Sequence, residues 1–165
     1  MSQAFSHQGL FPSPDHTRQF AENLSAYLRS GDVILLEGGI GAGKTHFARS
    51  LIQALQARTC RVEDVPSPTF TLVQTYDVDP SEIWHADLYR LSHPDEIEEL
   101  GLTQAFDDAI CLVEWPDRLG DLWPERALLM SFDTSADPGR EDHRVITFTG
   151  PKHIWQDRVL GALPS

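Results

Sequence analysis

One eight-residue stretch constrains the fold of this chain more than any other. Residues 38–45 read Gly-Gly-Ile-Gly-Ala-Gly-Lys-Thr and satisfy the pattern G-x-x-x-x-G-K-[ST]. An apolar segment typical of a buried strand, residues 33–36, precedes the pattern, and apolar residues recur at helical spacing over residues 47–55. This order of strand, loop and helix directs backbone N–H groups and a helix N-terminus at one anion. The stretch therefore predicts a phosphate-binding loop.

The side chains at the end of the loop have separate expected roles. The Lys44 ammonium can reach β- and γ-phosphates, and the Thr45 hydroxyl can bind Mg²⁺. The phosphates are expected to lie against the backbone of the preceding residues, Gly39, Ile40, Gly41, Ala42 and Gly43. The predicted ligand is therefore a nucleoside triphosphate with Mg²⁺.

The sequence does not support a preference for GTP. Residues 117–120 match the D-x-x-G pattern of GTPases, but they follow Trp115-Pro116 instead of a strand end. The guanine-reading pattern N-K-x-D is absent from the chain. ATP is therefore the expected nucleotide.

Two acidic residues are candidates for the carboxylate that such a site needs to hold Mg²⁺ and its water. Glu114 directly follows the apolar run 109–113, the arrangement of a buried strand that delivers an acid at its carboxyl end. Asp87 alternates with apolar residues in a second strand-like segment, where a structural role is equally compatible with the pattern. We take Glu114 as the stronger candidate and keep Asp87 as a second catalytic and metal-binding candidate.

Composition and charge limit the class of protein. A length of 165 residues predicts a single domain, residues 1–165, with a core that needs no disulfides. The net charge of −12 argues against a protein that binds nucleic acid without a partner, because binding to the phosphate backbone requires a basic surface. The apolar runs are too short for a membrane span. Cys60 and Cys111 are too few for a disulfide framework, so we expect reduced thiols and a cytoplasmic protein.

The remaining patterns predict a three-layer α/β domain of the P-loop NTPase type. Two segments joined by a short turn predict an antiparallel hairpin in an otherwise mixed sheet. Residues 6–11 are expected to form an edge strand or to be disordered. The expected strands are 33–36, 69–76, 83–89, 109–113, 127–132 and 144–148, and the expected helices start at Pro14, follow the phosphate loop, run through Leu100 and span 152–160.

Residues 66–72, Pro-Ser-Pro-Thr-Phe-Thr-Leu, precede the hairpin. Switch segments that cover a γ-phosphate lie at this place in many phosphate-loop enzymes. The hydroxyls of Ser67, Thr69 and Thr71 suit a phosphate or Mg²⁺, and we include Thr71 among the nucleotide-binding candidates. A rigid turn into an edge strand is the alternative.

Four blocks in the chain resemble a known family when taken together and in order. They are residues 41–45, the Ser-Pro-Thr-Phe-Thr of 67–71, the His-Ala-Asp-Leu-Tyr-Arg-Leu of 85–91, and the Glu-Trp-Pro of 114–116. The chain resembles the bacterial TsaE (formerly YjeE) ATPases of tRNA threonylcarbamoyladenosine synthesis. The match extends from about Pro14 to the last strand, and it departs from the family at Gly39 and His46.

The resemblance implies roles for individual residues. It implies Mg²⁺ on Thr45 and Glu114, Asp87 at the nucleotide or the metal, and switch-like behaviour of residues 67–71. It also implies that residues near His16 and Thr17 approach the base, and that Arg140 lies near the nucleotide.

The resemblance further implies an activity and a partner. Family members hydrolyse ATP slowly on their own and act on a TsaD–TsaB heterodimer, which modifies adenosine 37 of tRNA. The chain would therefore contact tRNA only indirectly. Its net negative charge is compatible with a protein that acts through protein–protein contacts.

Two other functions stay open. A small phosphate-loop kinase with its own acceptor would usually have an arginine-rich lid, and the arginines of this chain are scattered. An ATP-sensing module that needs no hydrolysis is the other alternative.

Overall fold

The computed structural model describes residues 3–59, 62–78 and 80–164. In chain order the elements are β1 (Ala4–Phe11), α1 (Pro14–Ser25), β2 (Val33–Gly38), α2 (Lys44–Thr59), β3 (Val73–Asp77), β4 (Glu82–Asp87), α3 (Pro94–Glu99), α4 (Leu102–Asp108), β5 (Ile110–Glu114), a 3-10 helix (Pro116–Leu122), β6 (Leu128–Thr134), β7 (Arg144–Pro151) and α5 (Lys152–Ala162).

The described strands form one seven-stranded sheet in the order β1-β7-β6-β2-β5-β4-β3. The four central strands, β6, β2, β5 and β4, are mutually parallel, and antiparallel pairs flank them on both sides. Residues 33–36 of β2 are wholly buried, because helices cover both faces of the parallel region. The mixed sheet with an antiparallel hairpin is confirmed.

The helices lie in two layers. Side chains of α1, α2 and α5 pack on one face of the sheet around Phe20, Phe47 and Trp155. Side chains of α3, α4 and the 3-10 helix pack on the opposite face around Phe106 and Leu119. The predicted three-layer α/β architecture is therefore confirmed.

The register of the parallel strands places the candidate acids at one edge of the sheet. Leu36 of β2 lies opposite Glu114 of β5, and Glu114 lies opposite Asp87 of β4. Since these strands run in the same direction, their carboxyl ends meet beside the loop that follows β2.

The observed elements depart from the predicted ones in two places. The strand expected from residue 69 begins at Val73, because the amide of Leu72 donates to the Pro68 carbonyl in a turn. The acidic helix expected through Leu100 is α3, but a further helix that was not predicted, α4, follows it after Gly101, which is in the left-handed region at φ 82°.

The remaining expectations about the fold concern the edge strand, the cysteines and membrane-spanning helices. Residues 6–11 belong to β1, an edge strand paired with β7. Cys60 lies outside the described residues, whereas Cys111 is buried in β5 as a free thiol. None of the helices in the described parts of the chain is long and apolar enough to cross a membrane.

Candidate functional site

The loop between β2 and α2 has the conformation that a phosphate-binding loop requires. Gly38 has φ 148°, and a Cβ there would lie 2.8 Å from the Phe132 carbonyl oxygen. Gly41 has φ 80°, which L side chains rarely adopt. The loop ends at Lys44, the first residue of α2, so the helix N-terminus faces the space above the loop.

A cavity of about 360 Å³ lies over this loop. Its volume is within the range of small-molecule sites. It brings together most of the predicted site with residues from β4, β5 and the segment before β3. The lining residues are Ile40, Gly41, Ala42, Gly43, Lys44, Thr45, His46, Thr69, Asp87, Glu114 and Trp115.

Glu114 is the most tightly held acid of the site, with only 2% of its surface exposed. The Thr45 hydroxyl donates to its Oε1 at 2.9 Å, and Nε2 of His85 lies 2.8 Å from its Oε2. Both carboxylate oxygens therefore have a partner, and the carboxylate plane is fixed beside the loop.

Lys44 is buried against the same acids. Its Nζ donates to the Gly38 carbonyl at 2.6 Å and lies 3.7 Å from the centre of the Trp115 ring. Burial lowers the pKa of Lys44 from its ordinary value, while the nearby charges of Glu114 and Asp87 oppose that shift. A bound phosphate would give the Lys44 ammonium a further anionic partner and would oppose the effect of burial on its pKa.

Asp87 is held in a different way. Its Oδ2 accepts a hydrogen bond from Thr69 at 3.2 Å, and its Oδ1 accepts one from the Tyr89 amide at 3.0 Å. The Asp87 amide donates to the Leu72 carbonyl. The Ser-Pro-Thr-Phe-Thr segment is thereby attached to the wall of the cavity through this acid.

Backbone strain is concentrated around this cavity. Leu72 and Trp115 are the two non-glycine residues with positive φ in the described chain, at 70° and 60°. Trp115 directly follows Glu114, and its left-handed conformation turns the ring beneath Lys44. Such conformations cost about 1–3 kcal/mol each and are typical of functional sites.

Four predicted residues are not part of the cavity wall. Gly39 contributes only to the loop itself, where its carbonyl accepts from the Ala42 amide. Thr71 is exposed and accepts from Gln74, because the turn at residues 68–72 directs Thr69 towards Asp87 instead.

His16 and Arg140 also lie elsewhere. His16 Nδ1 lies 2.7 Å from the Ser13 hydroxyl, and the ring lines a separate cleft beside Leu163. Arg140 is exposed in the turn that starts at Asp137.

Whereas the resemblance implied that Arg140 lies near the nucleotide, Arg144 lies beside the phosphate-binding loop. Its Nε donates to the Ala42 carbonyl at 2.9 Å and its Nη2 to the Gly41 carbonyl at 3.3 Å. Sequence reasoning missed Arg144, since only the pairing of β6 with β7 brings it to the loop. It also missed the contact of His85 with Glu114, although the alternation of His85 with Asp87 along β4 was a usable signal.

A second cavity of about 300 Å³ lies on the other side of the loop. It shares Gly41, Ala42, Gly43 and His46 with the first cavity. Its other lining residues are Pro14, Thr17, Phe132, Asp142 and Arg144.

The donor set of the first cavity fits Mg²⁺ bound together with phosphates. Thr45, Glu114 and Asp87 offer hard oxygen atoms, which Mg²⁺ prefers. The parts of the chain that the structure describes contain no cluster of three or more His, Cys, Asp or Glu that could form an all-protein cage. Mg²⁺ usually binds through one or two carboxylates and substrate phosphates, so the arrangement suits a metal–nucleotide complex.

Comparison with known proteins gives consistent results. Residues 11–143 match the family model described as threonylcarbamoyl adenosine biosynthesis protein TsaE. The chain is 38% identical over 122 residues to the tRNA threonylcarbamoyladenosine biosynthesis protein TsaE of Rickettsia bellii, which covers 74% of this chain and 83% of that protein. It is 36% identical over 138 residues to the protein of the same name from Bacillus subtilis, with 83% and 81% covered.

A solved structure has the same fold. The crystal structure of Bacillus subtilis YdiB superimposes with a TM-score of 0.76 at 25% identity, covering 98% of this chain and 97% of that one.

Proposed function

Because this chain belongs to the TsaE family of threonylcarbamoyl adenosine biosynthesis proteins, we propose that it binds ATP with Mg²⁺ and hydrolyses it slowly. We propose further that this activity supports a TsaD–TsaB heterodimer in modifying adenosine 37 of tRNA. The support for the partner is the family membership together with the resemblance of the four sequence blocks.

The observation that carries the ATPase proposal is the contact between Thr45 and Glu114. A loop hydroxyl and a strand-end carboxylate, 69 residues apart in sequence, are hydrogen-bonded at 2.9 Å over the cavity. A hydroxyl has two lone pairs besides its proton. Thr45 can therefore keep its bond to Glu114 while it binds a cation, and the site needs little rearrangement.

Each part of the site has its own role in binding and hydrolysing ATP. The loop amides and the positive end of α2 bind the phosphates, and Lys44 leaves the Gly38 carbonyl to contact the β- and γ-phosphates. Thr45 and Glu114 hold Mg²⁺, which when bound neutralises charge that develops on the phosphates. Asp87 orients the attacking water or the metal from the adjacent strand β4.

The proposed low basal rate follows from the shortage of positive charge in the first cavity. Lys44 is its only lysine or arginine among the described lining residues. Arg144 lies on the far side of the loop and is engaged by loop carbonyls. Phosphoryl-transfer enzymes that lack such a charge often receive an arginine from another protein. A partner that supplies one would stimulate hydrolysis.

The second cavity is the proposed place for the nucleoside. It adjoins the loop, and Thr17 of α1 and Phe132 of β6 give it one polar and one aromatic wall. This agrees with the part of the resemblance that placed residues near Thr17 at the base.

The test measures phosphate release from ATP with and without a purified TsaD–TsaB pair. Slow basal release and stimulation by the pair are expected, and Lys44→Ala should weaken binding of a non-hydrolysable ATP analogue tenfold or more, equivalent to at least ~1.4 kcal/mol. Unchanged affinity in that variant would contradict the phosphate-loop assignment. ATP binding without any release would favour the sensing module, and phosphate transfer to a small acceptor would favour the kinase.

A further inference from the structure

We propose that His85 is a positioning residue that orients Glu114 for metal binding. This inference rests on the proposed function, since it concerns the acid that would hold Mg²⁺. His85 does not line the cavity over the loop, so it acts through Glu114.

The polar contact of the His85 imidazole is with the Glu114 carboxylate. His85 is fully buried, at 0% exposure, on the same face of β4 as Asp87. Its Nε2 lies 2.8 Å from Oε2 of Glu114, while Thr45 holds the other oxygen. The two donors act on opposite oxygens, and this fixes both the position and the rotation of the carboxylate.

The free ring nitrogen identifies the tautomer. Nδ1 of His85 is buried and has no hydrogen-bond partner among the residues that the structure describes. A buried N–H without an acceptor is rare and costly, whereas an unpaired lone pair is tolerated more often. The proton therefore sits on Nε2 and points at Glu114. The imidazole therefore donates through Nε2 to Oε2 of the Glu114 carboxylate.

A purely structural role does not account for a polar ring at this position. The residue in register with His85 on β5 is Leu112, and Ile83 precedes it on the same face of β4. An apolar side chain of similar size would fit these neighbours and would avoid burying an unpaired nitrogen. The bond to Glu114 is the feature that such a side chain would lose.

The experiment compares three substitutions at this position. In His85→Gln the amide nitrogen takes the place of Nε2 and can still donate to Glu114. His85→Met is apolar, and the amide of His85→Asn is too short to reach the carboxylate. The matched control is Ile83→Ala, a buried truncation on the same strand and face that does not touch the acid.

The readouts are the affinity for a non-hydrolysable ATP analogue with and without Mg²⁺, by titration calorimetry, and the melting temperature. Partners that hold a metal-binding carboxylate typically contribute about 10–100-fold in metal affinity. We expect His85→Met and His85→Asn to reduce the Mg²⁺-dependent gain in affinity by about that factor, with Mg²⁺-free affinity unchanged. His85→Gln should recover most of the gain, and Ile83→Ala should lower the melting temperature only.

An unchanged Mg²⁺-dependent gain in His85→Met or His85→Asn would overturn the proposal. So would a loss in His85→Gln as large as that in His85→Asn. If His85→Met does not fold, the comparison of His85→Gln with His85→Asn decides the matter. A wild-type protein that binds no nucleotide at all would instead contradict the proposed function, which separates the two failures.

Discussion

Glu114 illustrates how the site is built at the scale of single residues. A carboxylate with 2% exposure is costly to bury unless it is hydrogen-bonded. Two donors, from Thr45 and His85, meet that requirement. Asp87 has its own two donors, Thr69 and the Tyr89 amide. The two neighbouring acids are thus held by different partners and can have different roles.

Replacing the two acids one at a time assigns those roles. Glu114→Gln preserves the shape of the strand end but removes the charge, and we expect ATP turnover to fall about 10²–10³-fold, as on removal of one preorganised electrostatic group. The affinity for a non-hydrolysable ATP analogue should fall less than the turnover rate. Asp87→Asn should lower turnover less. Single-turnover phosphate release for the two variants provides the measurement, and the reverse order of effects would mean that we have assigned the acids wrongly.

A buried thiol gives a test of the core at one residue. Burial raises the pKa of the Cys111 thiol to about 12, so almost no thiolate exists at pH 8 in the folded protein. In a Cys60→Ser background Cys111 is the only cysteine, and we expect iodoacetamide to label it only when the chain unfolds. Because the unfolded thiol ionises at lower pH, raising the pH above about 9 should also reduce stability. Rapid labelling of the native protein at pH 8 would show that β5 is not buried as described.

At the scale of elements, strand β7 supports the phosphate loop. Arg144, the first residue of β7, donates to two loop carbonyls, and its Nη1 also binds the carbonyls of Glu141 and His143. One guanidinium thus ties the loop after β2 to the turn before β7. The planar fork of arginine suits such multiple contacts better than a lysine would.

Arg144→Lys and Arg144→Ala should therefore both loosen the loop. We expect the affinity for an ATP analogue to fall about tenfold, or ~1.4 kcal/mol, since a hydrogen bond from a charged donor contributes about 1.5–3 kcal/mol. Calorimetry on these variants can be compared with Arg140→Ala, which removes an exposed arginine of the neighbouring turn and should leave affinity unchanged. A larger loss in Arg140→Ala would support the role that the family resemblance implied for Arg140.

At the scale of the whole molecule, one buried ion pair connects the last helix to the entrance of the central strand. Arg158 of α5 donates to Asp32, just before β2, at 2.8 Å, across 126 residues of sequence. Both side chains are 11% exposed, and Asp32 also accepts from the Arg29 amide. The contact attaches the last helix at the amino end of β2, the end opposite the one beside the phosphate-binding loop.

Arg158→Met should destabilise the protein by about 3–5 kcal/mol, because it leaves the Asp32 carboxylate buried without its partner. The double variant Asp32→Asn/Arg158→Met should recover much of that loss. Urea unfolding gives the free energies. The matched comparison is Arg18→Met, which breaks exposed pairs with Asp15 and Glu22 and should destabilise the protein far less. Equal effects at the two sites would contradict the buried character of the Asp32–Arg158 pair.

Several features of this protein were determined by the sequence alone, because their signals are local. The phosphate loop occupies contiguous residues, and the apolar run that precedes Glu114 is readable without its neighbours. The alternation and turn signals around residues 69–89 predicted the hairpin, although the first strand begins four residues later than expected. Local patterns therefore sufficed for the layers, the mixed sheet and the position of the main acid.

Contacts between distant elements were decided only by the tertiary structure. Arg144, which is 102 residues from Ala42 in sequence, contacts the Ala42 carbonyl. That Arg144 and not Arg140 reaches the loop depends on how β7 pairs with β6. That Thr69 and not Thr71 meets Asp87 depends on the turn at Leu72, and the bond between His85 and Glu114 depends on the register of β4 against β5. A shift of one residue in strand register reverses which face a side chain occupies. Register is set by packing across the whole sheet, so the short-range pattern of any one segment does not contain it.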